Sequence, residues 1–316
     1  MILTGHAKSP NGIQQPREDR IFTAIVTVVL TIVTGVLLYP LYFVVIASVS
    51  DPNLINTGKV LLIPKGLTLD GYKRVFSYGQ IWNAYKNSFI YLFLGTTLSV
   101  GMTLSGGYAL SRKDLRAGRL IMVLFTFTMF FNGGLIPRYL LVKNLGLTNT
   151  IWCMLLPNAV SVWNLIIART FFGSNIPDEL LDAAKMDGCN DLRFFFSIVM
   201  PLSAALTMVM VLFYGVGIWN SYFDAMIFLK SSKLQPLQLI IRDILIINKP
   251  SVEMISDVSE MMARQRAGEL LKYVVIIIAS LPLMCIYPFV QKYFEQGVMV
   301  GAVRSEEHTS ELQSRE

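Results

Sequence analysis

An all-α polytopic membrane protein is the fold class this sequence predicts, and three observations carry the prediction. Hydrophobic residues make up 53% of the 316 and charged residues 15%, where an ordinary soluble chain has roughly 25% charged. The mean hydropathy is +0.54. The apolar residues gather into six runs that hold no Asp, Glu, Lys, Arg or His, and about 20 such residues are enough for a helix to cross the hydrocarbon core.

The elements follow in order. Residues 1–20 are polar and form an N-terminal tail, and residues 21–304 form the membrane domain. Its spans are expected at 21–50, 87–111, 120–137, 149–168, 194–223 and 273–291. The first run is too long for the roughly 7–15-residue apolar core of a signal peptide, so an uncleaved span is favoured. The third and sixth runs are short. Their flanks, Gly133-Gly134-Leu135 in one and Pro282 and Pro288 in the other, point to broken or tilted helix rather than loop. In the fifth run, eighteen steps separate Pro201 from Trp219, a climb of roughly 27 Å at about 1.5 Å per residue. Between the fifth and sixth runs, Leu237, Ile240, Ile241 and Ile244 recur at helical spacing, which predicts short helices in that long segment.

Charge supplies the orientation. Arg112, Lys113, Arg116 and Arg119 crowd one short loop, and short basic loops stay on the cytoplasmic side. With six spans, both termini are then cytoplasmic. Several function classes are excluded. Cys153, Cys189 and Cys285 lie far apart without CxxC spacing, and the only histidines are His6 and His308, so neither a disulfide framework nor a metal site is expected. Gly58-Lys59 is followed by Val60 and lacks the earlier glycine of a phosphate-binding loop. The basic residues are scattered among loops, which argues against nucleic acid as a partner.

The spans are most informative for what they lack. Ion-coupled transporters keep ionisable groups at membrane depth as relays, and none of the six runs has one. A secondary transporter is the alternative reading. It would be supported by transport that persists without an ATPase partner. An intramembrane enzyme finds no Ser/His, paired-acid or metal constellation to support it. The polar residues inside the runs include Trp163 and Asn164 in the fourth and Trp219, Asn220 and Tyr222 in the fifth. Aromatic faces and amides suit a hydroxyl-rich solute, so these five are candidates for a substrate pathway. Interhelical hydrogen bonding and an interfacial aromatic belt explain the same residues, and for the Trp219–Tyr222 cluster the two readings stand level.

The loop 174–193 carries a full set of helix signals. Asn175 is a candidate cap, Pro177 suits the first turn, Asp178 and Glu179 complement the positive helix end, and Gly188 is a natural stop. Asn190 then caps a following helix through Phe194-Phe195-Phe196. Glu179, Ala183 and Asp187 share a face, and Ala183 and Ala184 would let another protein approach the backbone. Four acids, Asp178, Glu179, Asp182 and Asp187, stand against Lys185, which makes an anionic lipid surface a poor partner and a protein-docking helix the better reading.

This segment resembles the EAA loop of permease subunits of ATP-binding-cassette importers, written E-A-A-x-x-D-G, nine residues, then I-x-L-P. The chain has Asp182-Ala183-Ala184-Lys185-Met186-Asp187-Gly188, nine residues, then Ile198-Val199-Met200-Pro201. Asp182 replaces Glu and Met200 replaces Leu. Trp219-Asn220-Ser221-Tyr222-Phe223-Asp224, Gln235-Pro236-Leu237-Gln238 and Lys292-Tyr293-Phe294-Glu295-Gln296-Gly297-Val298-Met299 are similar to passages of the oligosaccharide branch of that family. The resemblance implies a type I, MetI-like permease fold in a bacterial plasma membrane, forming half of a pore with a second permease subunit. It also implies ATPase subunits that carry ATP and Mg, an extracellular solute-binding lipoprotein and an oligosaccharide substrate. No cofactor is expected on this chain itself. Glu179, Asp182, Ala183, Ala184, Asp187 and Gly188 become the ATPase-coupling residues. After Arg304 the polar peptide 305–316 matches a translated sequencing adapter and is read as a non-native tail.

Overall fold

The computed structural model describes residues 17–247, 268, 271–285, 287, 288 and 291. All regular structure among them is helical. The chain divides into two compact units, one up to Thr68 and one from Leu69 onward. His6, His308, the passage 292–299 and the tail 305–316 lie outside the described residues.

In the first unit, α1 (Arg17–Ser48) contains Pro40. Its hydroxyls are satisfied along the helix itself: Thr27 donates to the Thr23 carbonyl and Thr31 to that of Thr27, each at 2.7 Å. Asp51 caps α2 (Pro52–Asn56) by accepting from the Asn53 amide, and Pro52 fills the first helical position. The segment after α2 returns to α1 through the Tyr39 hydroxyl, which donates to the Leu61 carbonyl at 3.3 Å, and through the Thr68 amide, which donates to Val49 at 3.0 Å.

The second unit is built on α4 (Gly79–Ser111), which follows the short α3 (Asp70–Ser77). Packed along α4 are α5 (Gly118–Phe130), α7 (Trp152–Leu155), α8 (Val162–Asn175), α12 (Ala204–Trp219) and α14 (Leu237–Ile247). Between α4 and α8 the approach is close enough to exclude any side chain at Gly107: a Cβ there would meet the Ala168 Cβ at 2.7 Å and the Arg169 amide nitrogen at 3.1 Å. Small residues at helix crossings are how bundles gain contact where lipid provides no hydrophobic drive. Toward one end of α4, Leu104 and Tyr108 pack with Phe172, Phe194, Val199 and Met210. Toward the other, Ile81 and Leu92 pack with Trp219, Leu237, Val274 and Ile278, the last two from α15 (Leu271–Cys285).

The helices do not follow the six apolar runs one for one. Across 120–137, α5 ends at Phe130 and α6 (Leu135–Asn144) leaves at 117° to it. Gly134 makes the turn at φ 79°, and Asn132 accepts from its amide. The stretch 149–168 is not one helix: α7 stops at Leu155 and α8 begins at Val162, capped by Ser161. Pro157 is the cause, since it lacks an amide proton and its ring would collide with the carbonyl four residues back.

The stretch 194–223 is also broken. After α9 (Asp178–Met186) and α10 (Asp191–Phe194), a π-turn (Phe195–Val199) and α11 (Met200–Leu202) lead to Ser203, where the path bends by 83° into α12. The widened turn lies just before Pro201, which cannot donate in the helical ladder. The straight climb from Pro201 to Trp219 is therefore replaced by α12 alone, sixteen residues rising about 24 Å. Asn220 closes α12, and a separate α13 (Phe223–Phe228) follows. Two helices, Asp19–Ser48 within α1 and α4, are long and apolar enough to cross a bilayer, and the two bent pairs add further candidates among the described residues.

Candidate functional site: the loop 174–193 and its supports

Within this loop, α9 begins at Asp178 behind Pro177 and ends at Met186. Asn175 does not cap it. It is the last residue of α8, and its amide donates back to the Phe171 carbonyl at 3.0 Å. At the far end the chain closes a Schellman turn: Gly188 donates to the Lys185 carbonyl at 3.0 Å and Cys189 to that of Ala184 at 2.9 Å. Gly188 stands at φ 73° with open space around it, so conformation and not crowding requires glycine. Asn190 caps α10 by accepting from the Arg193 amide at 2.8 Å.

The two faces of α9 differ sharply. Ala184 is buried, and Leu180, Leu181 and Cys189 pack with it against the cluster of Tyr108, Phe172 and Phe194. The small-residue pair is therefore split, with Ala184 turned into the chain's own core and Ala183 open. Glu179, Asp182, Ala183, Asp187 and Gly188 are all exposed. Among the described residues no ion pair reaches Glu179, Asp182 or Asp187. Met186 is 89% exposed and Leu192 71%, so apolar projections stand among the open acids.

Two charged contacts flank this helix, and neither pairing is visible in the sequence. Lys113 binds Asp178, the first residue of α9. Arg112, which ends α4, holds Asp114 through two nitrogens and donates a third bond to Asp191 at 2.6 Å. The hydrogen bonds from Arg112 hold the Asp114 carboxyl below the ordinary carboxylate range. The bond to Asp178 raises the Lys113 ammonium above its ordinary value. Their sequence signal was the basic run 112–119, legible as an orientation marker but not as a set of partners.

The five candidate pathway residues are dispersed. Trp219 is 2% exposed, donates to the Ala279 carbonyl at 3.1 Å and lies 5.3 Å from the Phe89 ring. It is a core residue, with no open face to offer a solute. Asn164 is likewise buried, whereas Trp163, Asn220 and Tyr222 are exposed. Asn220 spends its amide on the Val216 carbonyl at 2.9 Å. Among the described hydrogen bonds and ring contacts, none joins Trp163 or Asn164 to Asn220 or Tyr222.

A second polar knot lay beyond sequence reasoning. Asp224 is buried, pairs with Arg138 at 3.1 Å and accepts from the Asn158 amide. Arg138 also donates to Asn158 at 3.1 Å and stands 5.7 Å over the Phe228 ring. This ties α6, the break at Pro157 and α13 together. A buried carboxylate is tolerable when paired and hydrogen-bonded in this way.

The described residues thus form a bundle of broken apolar helices with the acid-lined face of one short helix turned outward. No family model matches the chain, but whole-length relatives do. It is 38% identical over 288 residues to the polygalacturonan/rhamnogalacturonan transport system permease protein YtcP of Bacillus subtilis (strain 168), covering 91% of this chain and 99% of that protein. It is 33% identical to protein LplC of the same organism, covering 91% and 96%. The crystal structure of a bacterial ABC transporter involved in the import of the acidic polysaccharide alginate contains a chain that superimposes with a TM-score of 0.79 at 30% identity, covering 89% of this chain and 99% of that one. The chain belongs to the permease subunits of sugar ATP-binding-cassette transport systems, and as such it is not an enzyme.

Proposed function

We propose that this chain forms half of a translocation pore for an oligosaccharide and takes its energy from an ATPase docked on α9. A second permease subunit completes the pore, and an extracellular binding lipoprotein delivers the solute. The membrane is the bacterial plasma membrane, both termini are cytoplasmic, and six crossings are kept, with lipid as the surrounding partner. ATP and Mg sit on the ATPase subunits and none on this chain.

The observation that carries the reading is the division of α9: one face is seated in the chain's own core and the other presents Glu179, Asp182, Ala183, Met186 and Asp187. A basic-rimmed apolar groove is the complementary surface. Acidic oligosaccharides are the proposed substrate class, supported by the polygalacturonan and alginate systems among the similar proteins. For the pathway we retain Trp163, Asn220 and Tyr222, whose side chains are open.

Asp182 is the charged contact to test. Removing one partner of a desolvated charge pair costs about 2–5 kcal/mol. Asp182→Ala is expected to lose the ATPase during co-purification, and Asp182→Glu to keep it. Equal recovery of the ATPase with Asp182→Ala and the unaltered chain overturns the assignment. The buried carboxylate found here does not favour the ion-coupled alternative, because Asp224 is already paired with Arg138 and Asn158.

A further inference from the structure

We propose that Arg112 is a positioning residue that straps the end of α4 to the loop 174–193, so that the two move as one body when the docked ATPase closes. The proposal rests on the docking reading above. Its basis is a contact geometry that brackets α9: Lys113 holds Asp178 at its start, and Arg112 holds Asp191 five residues past its last turn.

The two contacts are unequal. Lys113 and Asp178 have side chains 84% and 56% exposed, and such pairs contribute little against solvent screening. Arg112 is 14% exposed and Asp191 66%, so the acid of this pair is as open as Asp178 and the difference lies in the buried, fixed guanidinium. Its bidentate grip on Asp114 fixes the guanidinium plane, and the remaining nitrogen is then aimed at Asp191. Charge-assisted bonds of this kind are the strong ones and add geometric specificity.

Apolar packing also joins the two segments, since Ala184, Leu180 and Leu181 of the loop pack in one cluster with Tyr108, and the Tyr108 ring lies 5.3 Å from that of Phe195 just beyond the loop. That contact is non-directional and permits sliding. Beside it a cavity of about 420 Å³ is lined by Ser105, Tyr108, Arg112, Asp114, Asp191 and Leu192. Across that gap the directional bonds of Arg112 set the register. Movement of the loop thus reaches α4 directly, in addition to the covalent route through the bend at Ser203 into α12.

The test uses the assembled complex in nanodiscs, with nitroxides on unnatural amino acids at Met102 of α4 and Lys185 of α9, both exposed positions. Distances are measured at rest and after trapping with ATP and vanadate. The unaltered chain is expected to give a narrow distribution of the same width in both states. Arg112→Gln and Asp191→Asn are expected to broaden it on trapping. Asp191→Asn leaves the Arg112–Asp114 contact in place, so it guards against a folding defect in Arg112→Gln. Unchanged widths in both single variants overturn the strap while leaving docking intact. A complex of the unaltered chain that never retains an ATPase overturns both.

Discussion

At Arg112 a single guanidinium serves three bonds and two carboxylates, and this sets how the loop responds to acid. The Asp114 carboxyl is depressed mainly by its hydrogen bonds from Arg112. A depressed folded value means that the contact contributes stability above the unfolded carboxylate value, about 3.9, and loses it only as pH falls through the lower folded value. Asp114 is largely exposed, so the energy is small, but the titration is direct. Carbon-13 observation of Asp114 is expected to show it ionised at about pH 4, and Arg112→Gln to return its midpoint to the ordinary range. A midpoint in the ordinary range for the unaltered chain would contradict the geometry. Asp182, Asp187 and Gly188 were legible as a motif because their spacing is fixed within one helix and its stop. The partners of Arg112 were not, because Asp191 is seventy-nine residues away and only the packing of α4 against the loop brings them together.

Among the elements, α9 shows how far local signals reach. Its acidic first turn and glycine stop were readable, but its cap was not: Pro177 takes that position, and Asn175 belongs to α8. The fourth and fifth runs are interrupted as helices for a related reason. Hydropathy is blind to backbone bonding, whereas Pro157 and Pro201 interrupt the ladder without adding any charge. The freed groups find partners inside the bundle: the Ser161 amide donates to the Tyr214 hydroxyl at 3.0 Å, and that hydroxyl lies 2.6 Å from Thr103. Such internal satisfaction is what allows broken helix at membrane depth. At the Schellman turn the prediction is specific. Gly188→Ala forces a Cβ into the left-handed region at a cost of about 1–2 kcal/mol, and asparagine tolerates that region better. Gly188→Ala is expected to lower ATPase retention and Gly188→Asn to lower it less. Equal losses would show that crowding, and not φ, governs the position.

Over the whole second unit, α4 is the common wall: it packs against α8 and α12 along its length, binds the 231–237 segment near one end and the loop 174–193 near the other. The Asn87 amide donates to the Lys233 carbonyl at 2.7 Å and the Tyr91 hydroxyl to that of Leu234 at 2.7 Å. Leu237, Ile240 and Ile241 turn inward from α14 onto the same end, so the apolar spacing seen in that segment serves packing. A spine of this kind transmits movement only if its neighbours cannot slip. The contact that prevents slipping is the crossing at Gly107, reinforced by Arg169, whose Nε donates to the Leu110 carbonyl at 3.1 Å. Two glycines on one helix separate packing from propensity. Gly101 has nothing within 4 Å of an added Cβ, whereas at Gly107 the Cβ would lie 2.7 Å from that of Ala168. Gly101→Ala is expected to leave the melting temperature of the complex unchanged or slightly raised, since alanine is the better helix former by up to about 1 kcal/mol. Gly107→Ala is expected to lower it, by an overpacking cost of about 1–3 kcal/mol, and to reduce ATP-driven uptake, because α8 must move off the spine that carries the loop's movement. A Gly107→Ala complex that melts and transports like the unaltered one would mean that α4 and α8 do not lie as close as this packing requires.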